Sequence, residues 1–308
     1  MITVKNVTKK YGKFKAVDNI SFEINDGEII GLLGPNGAGK STTMNILTGF
    51  IEPTEGEVII NGYNISKKPK KAKKCIGYMP EGVPLYKDMT VKEFVTYMAE
   101  LKGVKKEQIK ESVDQAIQDT WLQNVRKVLI RNLSKGYKQR VSMAGALVGN
   151  PEIIILDEPT VGLDPKQITE IRDLIKKLGK SHTVILSSHI LPEVSQICEK
   201  VIIINKGKIV AIDTPSNLED KTKSKNTILV TVEDPNDNMK NIKNKIKEAE
   251  KIKLIKDNKD GTKQYAVISD TQYDLRKKLF DVLPKEQIVI FELKKDESTL
   301  EDAFISLI

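Results

Sequence analysis

The sequence predicts an α/β protein with a mixed sheet and a helical insertion in its first 215 residues, followed by a small α+β unit. Three observations support this fold class. A glycine-rich loop lies between a predicted strand and a predicted helix at residues 28–47. Apolar strand patterns then alternate with helical patterns as far as residue 215, which is typical of α/β proteins. After residue 226 the patterns follow the order β-α-β-β-α-β.

Composition and charge limit the class of protein. The 308 residues are 39% hydrophobic and 30% charged, which is typical of a soluble globular protein. Apolar stretches are far shorter than the ~18 residues that cross a bilayer, and the N-terminus lacks the apolar core of a signal peptide. Cys75 and Cys198 show no disulfide or metal-ligand spacing, so we expect reduced cytosolic thiols. The net charge of +8 fits a lysine-rich surface as well as affinity for anionic lipid or nucleic acid.

The glycine-rich loop fits the phosphate-loop pattern, which is Gly, four residues and then Gly-Lys-Ser/Thr. The amides of such a turn form a concave nest at a helix N-terminus and bind an anion. We expect Lys40 to reach the β- and γ-phosphates of a bound nucleotide and Ser41 to coordinate Mg²⁺. The alternative is a glycine turn that only joins a strand to a helix. The predicted phosphate-binding residues are Gly34, Pro35, Asn36, Gly37, Ala38, Gly39, Lys40, Ser41 and Thr42.

Tyr11 follows the first strand pattern within residues 2–24. An aromatic ring at the end of a strand, shortly before a phosphate loop, is suited to stacking on a purine base. The alternative is that Tyr11 covers a sheet edge.

Six lysines lie among residues 67–74, between strands predicted at residues 57–62 and 76–81. Such a run could contact acidic lipid headgroups or RNA, but a solvated surface is the more frequent explanation. The second of these strands leads into a loop that contains Glu81.

Residues 86–150 read as a helical insertion because they lack strand patterns. Thr90 and Glu93 form a capping box, which predicts the start of a helix. A second helix is predicted at residues 105–120. Ser134 is a candidate N-cap for a third helix, whose free amides and positive dipole end would face outward.

Two further strands are predicted to end in polar side chains. Residues 151–156 read as a buried parallel strand that leads to Asp157 and Glu158. Asp157 is suited to holding Mg²⁺ through water, and Glu158 to aligning or deprotonating an attacking water. The alternative is an acidic strand end without a catalytic role. The strand predicted at residues 183–189 brings His189 to the same crevice, because ligands in open α/β sheets bind beyond the strands' carboxyl ends.

The order and spacing of the motifs point to a known family. The first 215 residues resemble the nucleotide-binding subunit of ATP-binding cassette (ABC) transporters. Other phosphate-loop ATPases share two of the motifs, whereas the Leu-Ser-x-Gly sequence is diagnostic of this family. The motifs are the loop at residues 34–42, Leu-Ser-Lys-Gly at 133–136, the strand at 153–158, Gly-Leu-Asp at 162–164, and His189.

The resemblance implies a head-to-tail dimer with two ATP molecules between the subunits. Each ATP would bind the phosphate loop of one chain and Ser134 and Gly136 of the other. Tyr11 would stack on adenine, His189 would hold the γ-phosphate, and Asp164 would couple the two sites.

Two positions depart from the family's common pattern. Lys135 and Tyr137 replace residues of the usual Leu-Ser-Gly-Gly-Gln sequence, and Glu81 stands where the family commonly has Gln. Both variants are similar to those of bacterial exporter cassettes, including drug, natural-product and gliding-associated transporters. Glu81 is therefore expected to contact the metal ion or the attacking water.

The C-terminal residues 216–308 are predicted to form a separate accessory domain. The polar, Pro-containing stretch 214–226 reads as a linker. The β-α-β-β-α-β pattern that follows has its first helix predicted at residues 239–250 and a turn at Asp260 and Gly261. It is the split βαβ arrangement called ferredoxin-like, with a further helix at residues 298–308. Similar tails occur on many exporter cassettes, where regulation or support of the dimer is plausible, but a fold alone does not assign a function.

Two functions fit these motifs. The first is an ATPase subunit that drives a separate integral-membrane permease, most simply an exporter, as a homodimer at the inner face of the cell membrane. The second is a soluble ABC ATPase that acts on nucleic acid or ribosomes. Such members usually carry two cassettes or a long coiled coil, whereas here only about 90 residues separate Ser41 from Ser134. We therefore expect a permease partner and no nucleic acid.

Overall fold

A computed structural model describes most of the chain: residues 1–82, 84–188, 190–222, 226–234, 238–270, 274–295, 300–301 and 304. The structure consists of two compact units. The first comprises Met1–Pro215, and the second begins at Ser216.

The first unit alternates strands and helices. Its elements in chain order are β1 (Ile2–Tyr11), β2 (Phe14–Ile24), β3 (Ile29–Leu33), α1 (Lys40–Leu47), β4 (Glu55–Ile60), β5 (Tyr63–Asn64), α2 (Pro69–Lys74), β6 (Ile76–Met79), α3 (Val91–Leu101), α4 (Lys106–Asp119), α5 (Lys135–Leu147), β7 (Ile153–Asp157), α6 (Pro165–Gly179), β8 (Thr183–Ser187), α7 (Leu191–Ile197), β9 (Lys200–Asn205) and β10 (Lys208–Asp213). Helix α8 (Pro215–Thr222) begins at the unit boundary.

Two sheets form the frame of this unit. One is antiparallel with the strand order β2-β1-β4-β5. The other has the order β10-β9-β3-β8-β7-β6 and is parallel except for the antiparallel pair β9 and β10. Strands β3, β7 and β8 are buried along their whole length, which explains their continuous apolar sequences. The predicted mixed sheet is confirmed, and the carboxyl ends of β3, β6, β7 and β8 share one edge.

One apolar core joins the two sheets to the first helix. It includes Ile2 and Phe22 from the antiparallel sheet, Ile30 and Ile155 from the parallel sheet, and Met44 from α1. Because interiors are packed as densely as organic crystals, this core leaves little freedom for the start of α1. The loop before α1 is therefore attached to a rigid base.

The predicted helical insertion consists of α3, α4 and α5, between β6 and β7. The capping box at the start of α3 is confirmed, since Glu93 N–H donates to Thr90 Oγ1 at 3.3 Å and Thr90 N–H donates to Glu93 Oε2 at 2.7 Å. Helix α5 packs very closely on β6, because a Cβ on Gly77 would lie only 2.3 Å from the Ala146 carbonyl oxygen.

Carbonyl oxygens at the carboxyl end of α5 accept hydrogen bonds from a lysine side chain in the segment after α3. The ammonium of Lys102, which follows α3, donates to the carbonyl oxygens of Ala146 at 2.5 Å and Val148 at 3.3 Å. Burial lowers the pKa of Lys102 to about 8. The lysine thus satisfies carbonyls that the helix end leaves without intrahelical donors.

The second unit contains β11 (Asn226–Glu233), α9 (Met239–Lys245), β12 (Ala249–Asp257), β13 (Thr262–Ser269), α10 (Arg276–Val282) and β14 (Val289–Lys295). Its antiparallel sheet has the order β12-β13-β11-β14. Alternate residues of β11, namely Ile228, Val230 and Val232, are buried in one core with Ile242 of α9 and Leu279 of α10. Both helices therefore cover the same face of the sheet, and the element order is the one expected from the sequence.

Two predictions in this region were wrong. The stretch predicted as a linker contains α8, which starts at Pro215 and buries Leu218; proline is well suited to a first helical position, and one apolar contact outweighs the polar composition. The helix predicted at residues 239–250 ends at Lys245, because Ile246 and Ala249 are buried with the sheet. The helix predicted at residues 298–308 lies largely outside the described residues.

The six lysines at residues 67–74 are all exposed, and Ala72 is the residue of α2 that faces the core. Among the described parts of the chain, no helix combines the length and apolarity required to cross a membrane.

Candidate functional site

A cavity of about 440 Å³ lies beside the phosphate loop. Residues of the β1–β2 hairpin, of the loop before α1 and of the segments that follow β6 and β7 line this cavity. The residues that line it are Tyr11, Phe14, Ala16, Asn36, Gly37, Gly39, Lys40, Ser41, Thr42, Glu81 and Glu158. Parallel strands bring these segments together, since their carboxyl ends meet at one edge of the sheet.

The glycines of the loop are required by close approach to neighbouring backbone. A Cβ on Gly34 would lie 2.3 Å from the carbonyl oxygen of Ile204, and one on Gly39 would lie 2.5 Å from that of Ala16. Gly39 also has a φ of 109°, which side-chain-bearing residues rarely adopt. The loop can therefore lie flat against the sheet edge and enter α1 directly at Lys40.

Residues outside the motif hold the loop in place. Ala38 N–H donates to the Pro35 carbonyl at 3.1 Å, and the Ala38 carbonyl accepts from Gly207 N–H at 2.9 Å. Gly207 lies in the turn between β9 and β10 and in turn accepts from Asp18 N–H at 2.8 Å. This support was not predicted, because the turn is far from the loop in sequence.

Lys40 is the central cation of the site. Its ammonium donates to the carbonyl oxygens of Gly34 at 2.7 Å and Pro35 at 3.2 Å, and the residue is only 7% exposed. Burial lowers the pKa of Lys40, while the negative charges of Glu158, Asp157 and Glu81 act in the opposite direction. The carbonyls hold the ammonium at the mouth of the loop, where its charge is available to an anion.

Two carboxylate residues, Asp157 and Glu158, lie at the end of β7. Asp157 is the last residue of β7, and Glu158 follows it in a left-handed conformation with a φ of 49°. Both are at least nine-tenths buried. Ser187, at the end of β8, contacts both residues: its hydroxyl donates to Asp157 Oδ1 at 2.5 Å and accepts from Glu158 N–H at 3.0 Å.

Tyr78 on β6 is a further neighbour of these carboxylates. Burial, together with the negative charge of Asp157, raises the pKa of Tyr78 to about 12. Its hydroxyl therefore stays protonated at physiological pH. Neither Ser187 nor Tyr78 was predicted as part of the site, because only the register of β6, β7 and β8 places them beside Asp157.

The oxygen donors of this region fit Mg²⁺. Ser41 and Glu81 line the cavity, and Asp157 acts on Lys40 through its charge. Hydroxyl and carboxylate oxygens are hard ligands, which Mg²⁺ prefers. In the described part of the chain, no three His, Cys, Asp or Glu side chains are grouped so as to hold a metal ion by themselves.

Two aromatic rings, those of Tyr11 and Phe14, also line the cavity. Tyr11 and Phe14 are paired across the β1–β2 hairpin and are 51% and 64% exposed. The ammonium of Lys9 lies 5.4 Å from the centre of the Tyr11 ring. Phe14 was not predicted, because it continues the alternating pattern of β2. Exposed rings of this kind are suited to stacking on a planar base.

Ser134, Gly136 and Asp164, which were predicted to contact a nucleotide, do not line this cavity. Ser134 is the N-cap of α5 and accepts from Tyr137 N–H at 3.3 Å. Asp164 is the N-cap of α6 and accepts from Gln167 N–H at 2.9 Å. The side chain of Gln167 also packs on Gly136, so the starts of the two helices are in contact. His189, predicted as catalytic, lies outside the described residues.

Glu81 offers a test within the cavity. The resemblance implies ATP hydrolysis in this cavity, and on that expectation Glu81→Gln should retain hydrolysis, since the amide keeps an oxygen ligand and removes a charge that repels phosphate. Glu81→Ala should raise the Mg²⁺ concentration required for half-maximal hydrolysis by about 10-fold, a usual loss when a supporting ligand is removed. A magnesium titration of hydrolysis for both variants checks this. Equal Mg²⁺ dependence of Glu81→Ala and the parent chain would show that Glu81 is only a loop residue.

Comparisons of the sequence agree with this geometry. The sequence model of the family described as ABC transporter matches residues 17–161. The uncharacterized ABC transporter ATP-binding protein YhcH of Bacillus subtilis is 35% identical over 316 residues, covering 100% of this chain and 95% of that protein. The bacitracin transport ATP-binding protein BcrA of Bacillus licheniformis is 41% identical over 211 residues, covering 68% of each.

A similar architecture is present in solved structures. A dimeric ATP-binding cassette in a post-hydrolysis state, bound to ADP and Pi, matches this structure with a TM-score of 0.62 and 30% sequence identity. The match covers 70% of this chain and 98% of that one.

Proposed function

Because the chain belongs to the family of ABC transporter ATP-binding proteins, we propose that it hydrolyses ATP to drive a separate integral-membrane permease, as part of an exporter. The observation that carries this proposal is the cavity in which the phosphate loop, the buried Lys40 and Glu158 meet. The similarity to a bacitracin transport protein supports a transport role. We place the subunit in the cytoplasm, peripheral to the inner face of the cell membrane.

ATP binding would involve two groups of residues that line the cavity. The amides of the loop and the ammonium of Lys40 hold the negative charge of the phosphates. Tyr11 and Phe14 offer exposed rings to the adenine base. The hairpin residues would thus bind the base, and the loop residues of the same cavity would bind the phosphates.

Hydrolysis would use the carboxylate of Glu158. Glu158 orients a water and accepts its proton as the water oxygen bonds to the γ-phosphorus. The bond between that phosphorus and the oxygen bridging to the β-phosphate breaks, which gives ADP and Pi. Ser41 and Asp157 would hold Mg²⁺, which supplies positive charge to the β- and γ-phosphate oxygens. Lys40 stabilises the same charge from the protein side.

Dimerisation is proposed from the position of the remaining motifs. Ser134, Gly136 and Asp164 are not part of the cavity of their own chain, but they lie at the N-terminal ends of α5 and α6. Free amides at a helix N-terminus favour an anion. A second copy in head-to-tail orientation would bring Ser134 and Gly136 to the γ-phosphate, with Asp164 coupling the two sites across the interface, as the relation to a dimeric cassette suggests.

Mixing two inactive variants tests this arrangement. Lys40→Ala damages the phosphate loop, and Ser134→Arg places a bulky side chain where α5 would meet the γ-phosphate. In a mixed dimer one composite site collects both lesions, and the other combines an intact Lys40 with an intact Ser134. Random exchange of equal amounts makes about half of the dimers mixed. We therefore expect ATP-dependent dimerisation and hydrolysis to exceed those of either variant alone.

A matched control is the mixture of Lys40→Ala with Ser41→Ala. Both lesions then lie in the phosphate loop, so that every composite site contains one of them and no recovery is expected. Subunit exchange is followed independently with two fluorescent labels. If exchange is complete and the first mixture also shows no recovery, the head-to-tail arrangement is wrong.

A further inference from the structure

We propose that Ser187 is a positioning residue of the ATP site, which orients the carboxylate of Asp157 for the metal ion and holds the backbone of Glu158. The inference rests on the proposed function, since it assigns a role within the same site. It concerns a residue that no nucleotide-binding motif of this chain contains.

Ser187 occupies the last position of β8, the strand between β3 and β7. It is fully buried and is paired in register with Asp157. Its hydroxyl makes two hydrogen bonds, donating to Asp157 Oδ1 at 2.5 Å and accepting from Glu158 N–H at 3.0 Å. One hydroxyl group thus connects the two carboxylate residues proposed for metal binding and for catalysis.

The direction of these bonds follows from chemistry. A backbone N–H only donates, so the serine oxygen must accept from Glu158. The single hydroxyl hydrogen is then left for Asp157, where it forms a charge-assisted bond, the stronger and shorter class. Because this bond holds Oδ1, the carboxylate cannot rotate freely. The second oxygen, Oδ2, would then be held in one orientation and could serve a metal ion or its bound water.

The second bond acts on the backbone of Glu158. With a φ of 49°, this residue is in a conformation that is unfavourable for a residue with a side chain. Such conformations persist where surrounding contacts enforce them. The Ser187 oxygen supplies one such contact, because it accepts from the Glu158 N–H at 3.0 Å inside the protein. Ser187 therefore contributes to fixing the direction in which Glu158 projects into the cavity.

The neighbouring serine does not share this role. Ser188 is also buried, but its hydroxyl accepts from Ile190 N–H at 3.0 Å and so caps the following segment. Thr183, at the opposite end of β8, accepts from Gly27 N–H at 2.9 Å. Thr183 is thus a buried strand hydroxyl with a backbone partner and no contact with Asp157, and it provides a matched control.

The experiment compares Ser187→Ala with Ser187→Thr and with the control Thr183→Val. Mn²⁺ serves as the metal probe, and its binding in the presence of ATP is titrated by electron paramagnetic resonance. We expect Ser187→Ala to weaken Mn²⁺ binding by about 10- to 100-fold, the usual effect of removing a residue that orients a metal ligand. Ser187→Thr retains a hydroxyl and should recover most of the affinity. Thr183→Val should bind Mn²⁺ like the parent chain.

Further readouts separate positioning from folding. Ser187→Ala removes two hydrogen bonds and Thr183→Val removes one, so thermal unfolding should show a loss of stability in both variants and the larger loss in Ser187→Ala. Binding of a fluorescent ATP analogue in the presence of EDTA should remain unchanged in Ser187→Ala, because Lys40 and the loop are intact. Should Ser187→Ala fail to fold, Ser187→Cys keeps a side chain of similar size with a much weaker donor, and it should also bind Mn²⁺ more weakly.

The outcomes distinguish this inference from the proposed function. If the parent chain itself binds no Mn²⁺ with ATP, the proposed function fails. If the parent chain binds it and folded Ser187→Ala or Ser187→Cys binds it equally well, only the role of Ser187 is overturned. A loss of Mn²⁺ affinity that Ser187→Thr restores supports the inference.

Discussion

Replacing Lys40 with alanine is expected to lower ATP hydrolysis by at least about 10²–10³-fold, the typical effect of removing one preorganised group that stabilises transition-state charge. The ammonium of Lys40 is buried at the mouth of the loop and held by two carbonyl oxygens. No other lysine lines the cavity described here, so no neighbour replaces its charge. Steady-state phosphate release at saturating Mg-ATP measures the effect.

A control variant is Lys110→Ala, which removes an exposed lysine of α4 and should leave hydrolysis unchanged. Thermal unfolding of both variants should give midpoints close to that of the parent chain, which would show that both variants fold. Hydrolysis by Lys40→Ala at more than half the parent rate would show that the phosphate site is assigned wrongly.

Glu158→Gln is expected to slow hydrolysis by about 10²–10⁴-fold, the range typical of a general base, while ATP affinity is retained. The amide keeps the size of the side chain, but it does not accept a proton from the attacking water. Lys40, Ser41 and Asp157 are unchanged. Because ATP then binds without turnover, we also expect a dimer that persists in Mg-ATP.

Analytical ultracentrifugation in saturating Mg-ATP tests the persistent dimer, and a single-turnover measurement tests the chemical step. Glu199→Gln makes the same chemical change at an exposed position outside the cavity and should behave like the parent chain. A Glu158→Gln chain that stays monomeric in Mg-ATP, both alone and with its permease, contradicts the proposed role.

Local sequence patterns identified residues that lie in short motifs of fixed spacing. Lys40 bonds carbonyls only six and five residues before it, whereas the loop glycines are required by the distant backbone of Ile204 and Ala16. The capping box of α3 joins Thr90 and Glu93 within one turn. The split βαβ order of the second unit follows from alternating apolar residues and one Asp-Gly turn. Family membership, predicted from motif order, is confirmed.

The features that the sequence did not reveal depend on contacts between distant segments. Phe14 joins the cavity because the β1–β2 hairpin places it opposite Tyr11. Helix α8 forms in a stretch of polar composition, where the burial of Leu218 outweighs local preference. The pairing of Phe14 with Tyr11 and the burial of Leu218 both produce no repeating pattern of apolar residues that could be recognised in the sequence.

Motif order along the chain was enough to predict the family, the α/β class and the phosphate loop, because each motif is a short run of residues with fixed spacing. The way in which Asp157 and Glu158 are held is visible only in the folded chain. Ser187 reaches Asp157 across 30 residues of chain, through the parallel register of β7 and β8. Register is set when apolar faces of several strands and helices pack together, and a displacement of one residue would turn Ser187 to the opposite face of the sheet.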